Sequence, residues 1–126
     1  MENLQNSGNV GNTYSITIPG TGSAVPDAVK NSSPAFPIND TAVVCSGSFF
    51  KYPITAKDKD GDVLTYSLCA AYDGGSSTAP APDPAAPPPY NTVSYSPPYF
   101  GAQPMGANVT IDPVTGIISG IAPIVS

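Results

Sequence analysis

The chain has 126 residues, 40% of them hydrophobic and 10% charged, with nine acidic against four basic residues and a net charge of -5. That is one domain's worth of chain, long enough to bury a core, and its low charge leaves the surface to Ser, Thr, Asn, Gly and Pro. A pI near 4.1 without any arginine excludes a nucleic-acid footprint, sixteen prolines and twelve glycines exclude long helices, and no run approaches the roughly eighteen apolar residues of a membrane span.

The polar start, residues 1–12, has neither the basic region nor the apolar run of a signal peptide. Low charge, abundant Ser, Thr, Asn and Pro, and an even pair of cysteines are nevertheless extracellular in style, which predicts a piece of a longer exported protein. Tyr14, Ile16 and Ile18 alternate with Ser15 and Thr17 and stop at Pro19-Gly20, predicting a short strand. Residues 21–40 read as linker, anchored by Pro34, Phe36 and Pro37. The predicted organisation is therefore an N-terminal strand and linker, or the tail of a preceding module, over residues 1–30, then one module over residues 31–126.

Two runs rich in β-branched and aromatic residues follow, Ala42-Val43-Val44-Cys45 and Phe49 to Ala56, separated by Ser46-Gly47-Ser48. Pro53 has no amide proton to give a ladder, so it belongs at an edge, at a bulge, or facing outward. Asp58-Lys59-Asp60-Gly61-Asp62 then gathers a third of the chain's acidic residues at one turn. Asp60-Gly61 suits either a hairpin or a crossing between the sheets of a sandwich. From Val63 to Ala70 the alternation is clean, with Leu64, Tyr66, Leu68 and Ala70 on one face, and it predicts a strand.

Residues 72–106 hold nine of the sixteen prolines, including Pro87-Pro88-Pro89, and are predicted to be a long, largely extended polyproline insertion interrupted by Tyr90, Tyr95, Tyr99 and Phe100. A hairpin closes the chain: Asn108 to Ile111, the turn Asp112-Pro113-Val114-Thr115-Gly116, then Ile117 to Gly120. Short strands punctuated by Gly and Pro, without a credible helix, predict an all-β Greek-key sandwich.

The segment from Ile54 through Asp58, Asp60, Asp62, Leu64 and Tyr66 to Leu68, followed by Val109 to Gly120, resembles the cadherin-like repeats of bacterial surface proteins, and Asn31-Ser32-Ser33-Pro34-Ala35-Phe36 resembles their opening. With Ser67-Leu68-Cys69 and Pro87-Pro88-Pro89-Tyr90 added, the chain is similar to modules of very large surface proteins associated with gliding motility. The resemblance implies an immunoglobulin-like sandwich used in tandem for cell adhesion, and calcium at Asp58 and Asp60, to which Asp62 can be added. The chain departs from the pattern by having Lys30-Asn31-Ser32-Ser33 at the linker and no Asp-Arg-Glu after the second hairpin. It also stops short of the final strand of such repeats. Either the stretch from Tyr14 to Ile18 supplies that strand or an open edge is left for self-association.

Hard cations take six to eight oxygen ligands, and carboxylates at alternate turn positions can converge on one. An EF-hand is excluded, because the sixth position from Asp58 is Val63 and the twelfth is Cys69. The competing reading is a plain turn whose Asp side chains accept from their own backbone amides. Composition predicts a disulfide between Cys45 and Cys69, with two free thiols as the alternative, and zinc lacks both histidine and enough thiols. Tyr90, Tyr95 and Tyr99 could serve a carbohydrate-binding module, the runner-up function, or simply pack across a sheet. Without histidine or arginine, and with Glu2 the sole glutamate, the chain is not expected to be an enzyme.

Overall fold

Turn chemistry and proline placement decide which of these runs pair. The computed structural model describes residues 3–16, 30–37, 42–82 and 84–124. Within them lie β1 (Asn12–Thr13), β2 (Phe49–Pro53), β3 (Tyr72–Asp73), β4 (Val109–Ile111) and β5 (Ile117–Ile121), with one 3-10 turn at Ser7–Asn9. The fold is nearly all β. Its two antiparallel sheets, β1-β3 and β2-β5-β4, are consistent with a β-sandwich.

The closing hairpin forms where its turn residues require it. Asp112 Oδ1 accepts the amides of Val114 and Thr115 at 2.9 and 2.8 Å, and Gly116 N donates back to Asp112 O at 3.0 Å. Gly116 sits at φ +67°, a conformation glycine adopts without the Cβ penalty of other residues. Bonding to two amides favours the charged carboxylate, so Asp112 is held below the usual carboxylate range, chiefly by Thr115 and then Val114. The turn sets β4 on β5 with Ile111 opposite Ile118 and Val109 opposite Gly120.

On the other side of β5, Tyr52 faces Ile118 and Phe50 faces Gly120. These side chains share the inner face, where Phe50, Tyr52, Ile111 and Ile118 are half-buried and Val109 is buried. Among the described residues β2 is an edge strand, and Pro53 ends it, as its missing donor requires. Among the described residues the buried apolar side chains are Ala56, Val93, Val109 and Ala122.

Other expectations change. Residues 63–70 form no ladder, so the predicted strand there is corrected to an alternating but unpaired run. Leu64, Tyr66, Leu68 and Ala70 are half-buried while Val63, Thr65, Ser67 and Cys69 are exposed, and the run docks by side chains. The Tyr66 ring lies against Gly116, its hydroxyl accepts Ala56 N at 2.9 Å, and Tyr66 N donates to Pro113 O at 3.0 Å. Since β2 pairs with β5, Asp60-Gly61 closes no hairpin.

Ala42 to Cys45 also makes no strand and is exposed, because Cys45 O is taken by Ser48 N at 3.1 Å in the turn that leads into β2. At the N-terminus the strand is Asn12–Thr13, not the run from Tyr14. Tyr14 and Ile16 are 90% and 72% exposed, and Thr17, Ile18, Pro19 and Gly20 lie outside the described residues, as do residues 21–29 and 38–40 of the predicted linker. The pairing partner explains the shift: a Cβ on Gly11 would collide with Gly74 O, so only glycine allows this approach of the two backbones.

The insertion is ordered more than polyproline character predicts. Asp73 N donates to Asn91 O at 2.8 Å and Val93 N to Ala71 O at 3.0 Å, which places residues 91–93 beside β3. Gln5 N donates to Ser94 O at 2.9 Å and Ser96 N to Asn3 O at 3.0 Å. The N-terminal residues are thereby laced to the insertion. Its prolines are exposed from Pro80 to Pro89 and at Pro97 and Pro98, and Pro104 is half-buried.

Candidate functional site

The acidic turn is built first from its own backbone. Asp58 Oδ1 accepts the amides of Asp60 at 2.8 Å and Asp62 at 3.2 Å, the local side-chain to backbone pattern that aspartate favours in turns. Gly61, at φ +84°, lets the chain reverse. Asp60 Oδ2 accepts the amide of Ser32 at 2.6 Å, so the turn holds the segment leading toward Pro34-Ala35-Phe36. Three residues further on, Ala35 and Lys57 exchange two backbone hydrogen bonds of 2.8 Å. Nothing in the sequence signals the Ser32 contact, which spans 28 positions.

The turn therefore has the arrangement of the plain reading, with amides on one oxygen of Asp58 and one of Asp60. Its donors are all hard oxygens, the chemistry a divalent cation such as calcium takes, and the second oxygen of each carboxylate accepts no hydrogen bond from the described residues. Among the described residues, no group of three acidic, thiol or imidazole side chains converges as a metal cage. Asp62 is exposed and contributes its amide to the turn. A cation here would draw on Asp58 and Asp60, with water or backbone carbonyls completing its shell.

Cys45 and Cys69 are both free and exposed, and the structure does not join them. Cys45 precedes the turn into β2, whereas Cys69 lies on the outward side of the unpaired run. The tyrosines are held by three different contacts. Tyr90 packs on Tyr72 with ring centroids 5.3 Å apart and planes at 48°, a tilted geometry common for aromatic pairs. The hydroxyl of Tyr95 accepts Ala71 N at 3.3 Å. Tyr99 lines a cleft of about 330 Å³ with Asn3, Val44, Pro104 and Met105. All three are half-buried, so each also serves to seat the insertion.

One further tie escapes sequence reading. Asn9 Oδ1 accepts both the amide and the hydroxyl of Ser77, at 3.0 and 2.6 Å, pinning the 3-10 turn to the start of the insertion. Among the described residues, no helix is long and apolar enough to cross a membrane. Compared with protein-family models, curated proteins and solved structures, the chain matches none of them.

Proposed function

We propose that the chain is a non-catalytic, cadherin-like module of an exported bacterial cell-surface protein, structural and adhesive in role, located outside the cell and stiffened by calcium at Asp58 and Asp60. The observation that carries this reading is the strand order β2-β5-β4. β5 lies between two strands that are far apart in sequence, with residues 54–108 leaving the sheet and returning. An immunoglobulin-type Greek key has the sheet order A-B-E-D, and the order β2-β5-β4 supports the reading by being compatible with its B-E-D part. The resemblance in sequence falls on these same strands and on the turn that leaves β2.

In such a module the acidic turn is a joint. Asp60 ties Ser32 to the end of the run that begins at β2, so a cation drawn to Asp58 and Asp60 would stiffen the place where the chain enters the sheet. Neighbouring repeats of the same protein, or other surface proteins and their glycans, are the expected partners.

The test is calorimetric melting against added calcium chloride, with magnesium as control. The wild-type chain should melt higher with calcium, and Asp60→Asn should lose that response while keeping an oxygen to accept Ser32 N. A calcium response that survives both Asp58→Asn and Asp60→Asn would remove the turn from the proposal.

A further inference from the structure

The outer side of β2 has its backbone groups in the order a second strand requires. Ile54 N donates to Gly116 O and Ala122 N donates to Ser48 O, one pair beyond each end of the β2-β5 ladder and in its register. In an antiparallel ladder the bonded residues alternate, so Phe50 and Tyr52 face β5 while Phe49 and Lys51 turn their N–H and C=O the other way. Among the described residues none takes up those groups. Pro53 closes the ladder at one end, which limits the open stretch to Phe49 through Lys51.

Beside this edge lies a cleft of about 540 Å³, walled by Val43, Val44 and Cys45 on one side and by Phe49 and Lys51 on the other. Its rim is apolar: Val43 is 93% exposed and Phe49 62%, and the register neighbour of Phe49, Ile121, is 43% exposed. Among the described residues lining it, Lys51 supplies the one charge. Its register neighbours across the sheet, Ser119 and Thr110, carry no carboxylate to answer it.

We propose that this edge receives an extended segment of another protein, added as an antiparallel strand, with a carboxylate in register with Lys51 and an apolar side chain in register with Phe49. Unpaired donors and acceptors at two-residue spacing match extended backbone and nothing else, and an edge of this kind is the usual template for strand addition. A second copy of this chain fits poorly. Symmetric antiparallel pairing centred on Phe50 sets Lys51 against Phe49 and leaves both lysines without a carboxylate, and pairing centred on Lys51 sets like charges directly opposite one another and Phe49 against Pro53, which has no amide to donate. The lysine that a copy leaves unanswered attracts an acidic strand.

The probe is the blocked peptide Ser-Thr-Thr-Glu-Thr-Ile-Thr-Val-Ser, whose Glu and Ile fall opposite Lys51 and Phe49 in the antiparallel register. Titration calorimetry should show saturable binding. N-methylation of the Glu and Ile amides should weaken it on the order of tenfold or more, since each lost backbone hydrogen bond is worth several-fold. Replacing the peptide Glu by Lys should weaken binding about three- to fivefold, and Lys51→Glu should invert that preference, as expected for one exposed ion pair. Circular dichroism of Lys51→Glu should match the wild type, because the side chain is exposed.

Three results overturn the proposal: no binding at millimolar peptide, binding indifferent to N-methylation, or a charge preference unmoved by Lys51→Glu. Sedimentation of the chain alone that reveals a dimer dissolved by Phe49→Asp would assign the edge to a second copy instead.

Discussion

Gly116→Ala tests how the unpaired run 63–70 is fastened to the closing hairpin. Two costs add. At φ +67° an L-residue pays about 1–2 kcal/mol for the left-handed conformation. An added Cβ would also lie 2.9–3.0 Å from three atoms of the Tyr66 ring, closer than ordinary contact allows. The ring can retreat only by stretching its hydroxyl bond to Ala56 N, 2.9 Å long, and a hydrogen bond of that kind contributes about 1 kcal/mol. Against these stands a gain of about 0.4–1 kcal/mol from the less flexible unfolded chain. The net expectation is a loss of about 1–3 kcal/mol in urea unfolding at unchanged slope. In a Tyr66→Ala background the steric and hydrogen-bond part should vanish, leaving a coupling of about 1 kcal/mol in the double-mutant cycle. A cycle that closes at zero would refute the contact between Tyr66 and the hairpin.

Further outcomes follow from the same contacts. The Asp112 carboxylate is held below its unfolded value of about 3.9. The stability it adds is therefore present above that value and lost as pH falls through the lower folded pKa, and melting followed from pH 6 downward should show a shallower acid limb for Asp112→Asn. Gly120→Val should disrupt β4-β5 pairing, because a Cβ there collides with Asn108 O, and loss of the near-ultraviolet signal at ambient temperature would report it. Tyr90→Ala should cost about 1 kcal/mol through its tilted pair with Tyr72, read as a lower urea midpoint.

The legible parts of the sequence are those whose determinants are local. The turn Asp112 to Gly116 contains its own acceptor, its own fixed dihedral and its own left-handed residue, so the hairpin could be read without knowing what it packs against. By the same logic Pro53 narrowed its run to an edge, a bulge or an outward-facing position, and among the described residues β2 lies at the edge. Alternation from Leu64 to Ala70 told which side faces inward, but burial of a face does not specify a hydrogen-bonding partner, and here Tyr66 docks without a ladder. The N-terminal strand was misplaced because the choice lies in Gly11 and Gly74, two small residues that matter only once the backbones meet. At the acidic turn the Asp58 capping was legible and the Asp60 contact to Ser32 was not, since a partner 28 residues away leaves no periodic trace. The calcium reading rests on residue type and resemblance, which name the donors without fixing their number.

The buried apolar side chains among the described residues are small, and that has a consequence for the calcium stiffening proposed above. Ala56, Val93, Val109 and Ala122 contribute few methyl groups, so the pins between segments carry a large share of the stability. Val109 is the central one, 2% exposed and opposite Gly120, where no side chain competes for its space. Val109→Ala removes two methyl groups and should cost about 1.6 kcal/mol at roughly 0.8 kcal/mol per buried carbon. In a domain of ordinary stability, about 5–15 kcal/mol, this is tolerated. Here, saturating calcium at about a hundredfold above its dissociation constant would return about 2.7 kcal/mol by binding the folded chain alone. The variant should thus melt low in chelator and recover to at least the wild-type chelator value when calcium is added. Equal losses in chelator and in calcium, with no upward shift in either protein, would show that the joint adds nothing to the fold.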